Sequence, residues 1–69
     1  MTELEARIIL TLAECNMNVC ETSRRLHYHR NTIRYHLDNV KKSTGRDPLN
    51  FHDLIMLEKI AHKELEEET

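Results

Sequence analysis

The sequence has 69 residues, a net charge of −2, one glycine, one proline and three aromatic residues. A chain of this length buries only about 60% of the surface that its unfolded form exposes, which excludes a second domain and limits the core to a small set of aliphatic side chains. The scarcity of glycine and proline favours helices joined by short loops, and no apolar run approaches the ~18 residues of a membrane span. We therefore expect one helical domain over residues 1–69, soluble and cytoplasmic, with no membrane partner.

The charges are distributed unevenly along the chain. Residues 1–23 carry a net charge of −3, residues 24–46 carry +6 and residues 47–69 carry −5. Three of the five histidines also lie in the middle third. An anionic partner responds to the local field rather than to the net charge, so the middle third is predicted to face a polyanion such as nucleic acid.

An apolar stripe at helical spacing predicts a first helix over residues 3–15, with Thr2 as its N-cap. The stripe consists of Leu4, Ile8, Leu12 and Cys15. A second, short helix is predicted over Val19–Leu26, because Asn18 is a good N-cap and Glu21, three positions later, suits a capping box.

A basic third helix is predicted over about residues 29–44, after a tight turn at residues 27–29. Tyr28 in the turn is expected to point back into the core. Gly45 and Pro48 end the helix, because glycine adopts the left-handed conformation freely and proline cannot continue a helix. The apolar side of this helix consists of Ile33, Leu37 and Val40.

A fourth helix is predicted after Asn50, which is suited to cap it, with Phe51 anchoring its start. The polar side of this helix carries His52 and His62, which should be exposed, and residues 66–69 should fray. Its apolar stripe consists of Leu54, Leu57, Ala61 and Leu65.

Residues 18–37 combine a short helix, a tight turn and a basic helix, which is typical of a helix-turn-helix. In that unit the second helix enters the major groove of DNA and the first helix crosses the backbone behind it. The crossing requires small residues, and Thr22 and Ser23 occupy the middle of the short helix. The segment therefore predicts a helix-turn-helix whose recognition helix covers about residues 29–44.

The side of the recognition helix opposite its apolar stripe carries side chains that suit DNA. Arginine can bond bidentately to guanine and asparagine to adenine, and the backbone N–H groups that start the two helices can bind phosphates. Tyr35 is either a DNA contact or a partly buried brace for the fourth helix. The predicted DNA-binding residues are Asn18, His29, Arg30, Asn31, Thr32, Arg34, Tyr35, Lys41 and Lys42.

Residues 29–37, with the sequence HRNTIRYHL, resemble the signature of the C-terminal helix-turn-helix of PucR-type transcription regulators. That group includes regulators of purine catabolism and of carbohydrate diacid use. The resemblance continues from Asn18 through Leu26 and from Thr44 through Pro48, and it is more distantly similar to the Fis-type helix-turn-helix. It implies an all-α bundle of about four helices that binds double-stranded DNA sequence-specifically in a bacterial-type transcription regulator and is not an enzyme.

The resemblance also implies roles for individual residues. In the wider group the residues that contact DNA correspond here to His29, Arg30, Thr32 and Arg34. Phosphates are contacted at positions corresponding to Asn18 and Cys20, although Cys20 replaces the usual serine or threonine. His36 stands where PucR-type sequences usually have arginine, which removes one fixed charge. His27 occupies a turn position where Fis-type motifs favour glycine, and histidine tolerates the left-handed conformation at modest cost.

Metal, cofactor and enzyme functions find little support in the sequence. The spacing of the four residues that could form a zinc set fits no familiar zinc pattern. These residues are Cys15, Cys20, His27 and His29. We expect no metal, no cofactor and no small-molecule site in this chain.

Four apolar residues exceed what a single face of each outer helix needs, namely Ile9, Leu10, Met56 and Ile60. They indicate either a thick core or a homodimer through helices 1 and 4, and such a dimer would place two recognition helices about 34 Å apart on DNA. Two rival functions remain open at this point. One is a non-specific architectural DNA binder of Fis-like kind, and the other is a helical protein-interaction module with no DNA role.

Overall fold

A computed structural model of the protein describes residues 1–66. They form four helices and no strand, which confirms the predicted all-α fold. The bounds are α1 Glu3–Glu14, α2 Val19–Leu26, α3 Arg30–Thr44 and α4 Phe51–Glu66. Helix α1 ends one residue earlier than predicted, with Cys15 as its C-cap. The predicted fraying of the C-terminus concerns mainly residues 67–69, which lie outside the described range, whereas Glu66 closes α4.

Polar side chains cap the start of every helix, as Thr2, Asn18, His29 and Asn50. At α1 the capping box is complete, since Thr2 and Glu5 each accept a hydrogen bond from the other's backbone N–H group at 3.1 Å. The box predicted at α2 is only half formed, because the Glu21 carboxylate pairs with Arg24 at 2.7 Å instead of returning to the cap. At the end of α3, Gly45 adopts the left-handed conformation with φ of 74°.

Helix α1 lies at the centre of the fold, where it packs along α4 and also meets α2 and α3. A helix with three neighbours must be apolar on more than one face, and Ile9 is accordingly 0% exposed. Of the two alternatives for Ile9, the thick core is therefore correct and a dimer surface is excluded, because this residue belongs to the core. Leu10 is partly buried against the same core.

Two aromatic side chains are exposed: Tyr28, which was expected in the core, and Phe51, which was expected to anchor the start of α4. Phe51 is 63% exposed, because the first turn of α4 lies beside the end of α1 and leaves its ring on an open groove with Ala13 and Met17. Leu54, one turn later, is the first buried residue of α4. Tyr28 is 42% exposed, because the chain reverses at the preceding residue and carries the ring outward.

Several other predictions about burial are confirmed. The apolar stripes of α3 and α4 are buried, Leu65 packs against the core, and His52 and His62 are exposed. No helix among residues 1–66 combines the length and apolarity needed to cross a membrane.

Candidate nucleic-acid interface

Helix α2 packs against α3 and buries the two small residues that were predicted to allow the crossing, Thr22 and Ser23. Both hydroxyl groups donate to backbone carbonyls, Thr22 to that of the cap residue Asn18 at 2.8 Å and Ser23 to that of Cys20 at 2.7 Å. A buried hydroxyl with a hydrogen-bond partner avoids the cost of desolvation. The short helix can therefore present a polar, close-packed face to its neighbour.

The turn between α2 and α3 depends on the backbone conformation of His27, which has φ of 60° and ψ of 37°. The N–H group of Tyr28 then donates to the Ser23 carbonyl at 3.1 Å, which closes the end of α2 in the manner of a Schellman motif. Histidine reaches the left-handed region more readily than a β-branched residue. The turn thus forms without the glycine that the Fis-type motif favours, as the sequence indicated.

Helix α3 starts with an unusual cap, in which the Nδ1 atom of His29 accepts a hydrogen bond from the Asn31 N–H group at 3.0 Å. Accepting this bond requires a lone pair on Nδ1, so the neutral ring carries its proton on Nε2. The ring of His29 is exposed, so its Nδ1 atom caps the recognition helix while its Nε2–H group remains available as a donor at the start of that helix.

The exposed face at the start of α3 carries most of the predicted reading residues: His29, Arg30, Asn31, Arg34 and Tyr35. Thr32 is half-buried at the edge of this face. The Tyr35 side chain is 63% exposed, so the alternative of a partly buried brace against α4 is wrong. Its ring instead lies edge-on against the ring of His36, with the centroids 5.3 Å apart.

The positive charge of the middle third falls into two groups. Five of its basic residues lie within 4.0 Å of a carboxylate, namely Arg24, Arg25, Lys41, Lys42 and Arg46. Within residues 1–66 no carboxylate lies within that distance of Arg30 or Arg34. The two arginines of the predicted reading edge therefore carry the charge that is most available to a polyanion.

The two predicted phosphate-binding lysines stand beside acidic neighbours. The Lys42 Nζ atom lies 2.9 Å from an oxygen of Asp38, which raises the pKa of Lys42 above its usual value and keeps it charged. Lys41 is 3.9 Å from Asp47. Both lysines are exposed, so these ion pairs are weak and can be exchanged for a phosphate.

The sequence analysis missed a contact between α1 and the recognition helix. Glu5, 6% exposed, accepts a hydrogen bond from Nδ1 of His36 at 3.1 Å. Burial by itself would raise the pKa of Glu5, but the hydrogen bonds from His36 and from the Thr2 backbone hold it below its usual value. The capping-box spacing of Thr2 and Glu5 was the signal available in the sequence, and it indicated the local bond but not the distant partner.

The residues considered as a zinc set do not come together. Cys15 is buried and Cys20 is exposed, and both are free thiols. Among residues 1–66, no three histidine, cysteine, aspartate or glutamate side chains are grouped so that they could hold a metal ion.

Comparison with families of known proteins matches residues 6–59 to the PucR C-terminal helix-turn-helix domain. The matched span runs from the first turn of α1 into α4 and contains the whole of α2, the turn and α3. No match was found to a curated protein or to a solved structure.

Proposed function

Because the chain belongs to the family of PucR C-terminal helix-turn-helix domains, which are DNA-binding and typically non-catalytic parts of transcription regulators, we propose that it binds double-stranded DNA sequence-specifically. Helix α3 enters the major groove and α2 crosses the backbone behind it. The observation that carries this proposal is the exposure of Arg30 and Arg34 with no carboxylate within 4.0 Å among residues 1–66. Such a regulator meets its DNA in the cytoplasm, which is therefore the proposed location.

The reading edge comprises the first two turns of α3. Arg30 and Arg34 reach guanine O6 and N7, and Asn31 reaches adenine N6 and N7, because these pairings match in donor and acceptor geometry. His29 offers its Nε2–H group, and the hydroxyl or methyl group of Thr32 lies at the margin of the same surface. These five residues recognise the DNA sequence, while contacts with the phosphates fix the position and orientation of the domain on the duplex.

Phosphate contacts are proposed on both sides of the reading edge. The Oδ1 atom of Asn18 is occupied by the Glu21 N–H group at 2.9 Å, so its amide NH2 group is the part that is left to meet a phosphate at the start of α2. Lys41, Lys42 and Tyr35 serve the flanking phosphates along α3. Each lysine must give up its carboxylate partner to bind a phosphate, so each contributes less to the free energy of DNA binding than either arginine of the reading edge.

Selection of sites from a random duplex library tests this proposal directly, because it reports binding, sequence and half-site spacing together. On the selected duplex, Arg30→Ala or Arg34→Ala should each cost roughly 1–3 kcal/mol of binding free energy and relax the preference at one base pair. Arg7→Ala is the matched control, since Arg7 is an exposed arginine of α1 that pairs with Glu3 at 2.9 Å.

The other outcomes correspond to the two rival functions. Equal affinity for selected and random duplexes at one salt concentration would indicate a non-specific architectural binder. The absence of salt-dependent binding to any duplex would indicate a protein-interaction module and would overturn the proposal.

We also propose that the domain acts as a homodimer. The support comes mainly from α4, where Met56 and Ile60 each remain 40% exposed, since Ile9 of α1 is taken up by the core. A symmetric dimer would place two recognition helices about 34 Å apart and would select a palindromic site. Analytical ultracentrifugation that shows a monomer at high micromolar concentration, with and without DNA, would contradict this proposal.

A further inference from the structure

A partly buried hydrogen bond joins the recognition helix to the start of α1. The Nδ1 atom of His36 lies 3.1 Å from Oε2 of Glu5, a residue 31 positions earlier in the chain. The other carboxylate oxygen of Glu5, Oε1, accepts from the backbone N–H group of Thr2 at 3.1 Å. Both oxygens of this carboxylate are therefore occupied, one by its own helix and one by α3.

The protonation states of the two groups follow from the geometry. The Glu5 side chain is 8% exposed, and an ionised carboxylate accepts hydrogen bonds but cannot donate them. The Nδ1 atom of His36 must therefore carry hydrogen, whether its ring is neutral or protonated. Removal of the His36 ring would leave a buried carboxylate with one partner fewer, which is costly for a charged group.

His36 also contacts the exposed face of the recognition helix. It lies between the buried stripe and that face, and its side chain is 20% exposed. The ring of Tyr35 stands edge-on against the ring of His36, at an interplanar angle of 75°. A continuous series of contacts thus leads from Thr2 through Glu5 and His36 to Tyr35, which is proposed to meet DNA.

We propose that His36, held by Glu5, is a positioning residue that sets the rotation of α3 about its own axis and so the direction in which the reading residues face DNA. The buried stripe of α3 fixes which side of the helix faces the core, but apolar contacts are non-directional and resist a small rotation less than a hydrogen bond does. A hydrogen bond weakens steeply away from its preferred angle, and contacts with base edges must be held within about 0.5 Å and 10–20°. This inference rests on the proposed function, because it concerns how the same surface meets DNA.

Two substitutions separate the hydrogen bond from other effects of the ring. His36→Asn places an amide nitrogen as many bonds from Cβ as Nδ1, and asparagine and histidine have similar helix propensities. His36→Ala removes the bond while improving helix propensity, so a loss of binding cannot be ascribed to a weaker helix. His62→Ala is the matched control, because His62 is an exposed histidine of α4.

Affinity should be measured for the selected duplex and for a random duplex, over a range of salt concentrations, well below the melting temperature of each variant. His36→Ala should lower affinity for the selected duplex about tenfold, which corresponds to about 1.4 kcal/mol of binding free energy, because the reading residues then face DNA less accurately. Its affinity for the random duplex and its salt dependence should stay unchanged, because no phosphate contact is lost. His36→Asn should remain within about twofold of the wild type, and His62→Ala should equal it.

Three results would overturn the inference alone. The first is an unchanged ratio of selected to random affinity in His36→Ala, and the second is a failure of His36→Asn to restore binding. The third is a shallower salt dependence in His36→Ala, in which the magnitude of the slope of log affinity against log salt falls by about 0.9. That result would identify His36 as a phosphate contact. A wild-type domain that binds no duplex would instead overturn the proposed function and this inference with it.

A second variant guards against loss of folding in His36→Ala. In Glu5→Gln/His36→Ala the buried group is neutral and still accepts from the Thr2 N–H group, so no charge is left without a partner. It should fold and show the same tenfold loss on the selected duplex, and wild-type affinity in this variant would contradict the positioning role.

Discussion

Ile9→Val tests whether the second apolar face of α1 belongs to the core, as its complete burial indicates. The matched variant is Ile60→Val on α4, which removes the same methyl group from a side chain that is 40% exposed. If burial within the monomer determines stability, the first variant should be destabilised clearly and the second hardly at all.

The magnitude follows from the size and burial of the domain. A substitution of isoleucine by valine in a packed core costs about 0.5–1.5 kcal/mol, and 1 kcal/mol shifts the melting temperature of a domain of this size by about 4–8 °C. Ile9→Val should therefore melt about 2–12 °C below the wild type. Alanine is unsuitable here, since its cost of about 2–5 kcal/mol is comparable with the whole stability of a chain with 69 residues, about 3–10 kcal/mol.

Thermal unfolding followed by circular dichroism at two protein concentrations, tenfold apart or more, provides the assay. The burial argument would be refuted if Ile9→Val melted at the wild-type temperature while Ile60→Val melted at a lower temperature that depended on protein concentration. That result would place the important apolar contacts between two copies of the chain. A concentration-dependent melting temperature in every variant, with Ile9→Val still the least stable, would fit a dimer built on an intact monomer core.

Four further predictions concern caps, acid stability and DNA. Asn18→Ala should lower the free energy of unfolding in urea by about 0.5–2 kcal/mol by removing the cap of α2, whereas Asn18→Asp should keep it; equal midpoints in all three proteins would contradict this. The pKa of Glu5 lies below its usual 4.5, so its ionised form stabilises the fold above that pH, and this stability is lost as the pH falls through the folded pKa. Melting temperatures between pH 6 and pH 3 should therefore fall less steeply in Glu5→Gln, and parallel curves would show that this carboxylate is not involved. Gly45→Ala should cost about 1 kcal/mol in the same urea assay although no atom lies within 4 Å of the added Cβ, because φ of 74° strains any L side chain; a neutral effect would show that the turn relaxes. Lys42→Ala should weaken binding to selected and random duplexes alike, and it should reduce the magnitude of the slope of log affinity against log salt by about 0.9. An effect on the selected duplex alone would make Lys42 a base contact.

The distribution of charge along the chain has a consequence for how the domain approaches DNA. The +6 segment supplies the end of α2 and all of α3, whereas the −3 segment supplies α1 with the start of α2 and the −5 segment supplies α4. A domain with charge separated in this way turns its basic side toward a polyanion before contact, which raises the rate of productive encounters at low salt. The acidic helices therefore contribute to orientation although they carry none of the proposed base contacts.

Local features of the chain were predictable because they depend on neighbours in sequence. The caps at Thr2, Asn18 and Asn50 and the helix stop at Gly45 were all recognised from residue type and spacing. The burial of the α3 stripe followed from its period, since residues three and four apart share one face of a helix. The choice of reading residues followed from their residue types and from their absence from the buried stripe, and their contact with DNA remains a prediction.

The number, order and polarity of the helices follow from the sequence alone, because capping and periodicity act over one or two turns. The sequence left open how many neighbours each helix has, and that number is a property of the tertiary arrangement. The central position of α1 buries Ile9, and the open groove beside its end leaves Phe51 exposed. The pairing of Glu5 with His36 likewise joins residues 31 positions apart, which no local pattern encodes, so only the packing of α1 against α3 brings the two groups within hydrogen-bond distance.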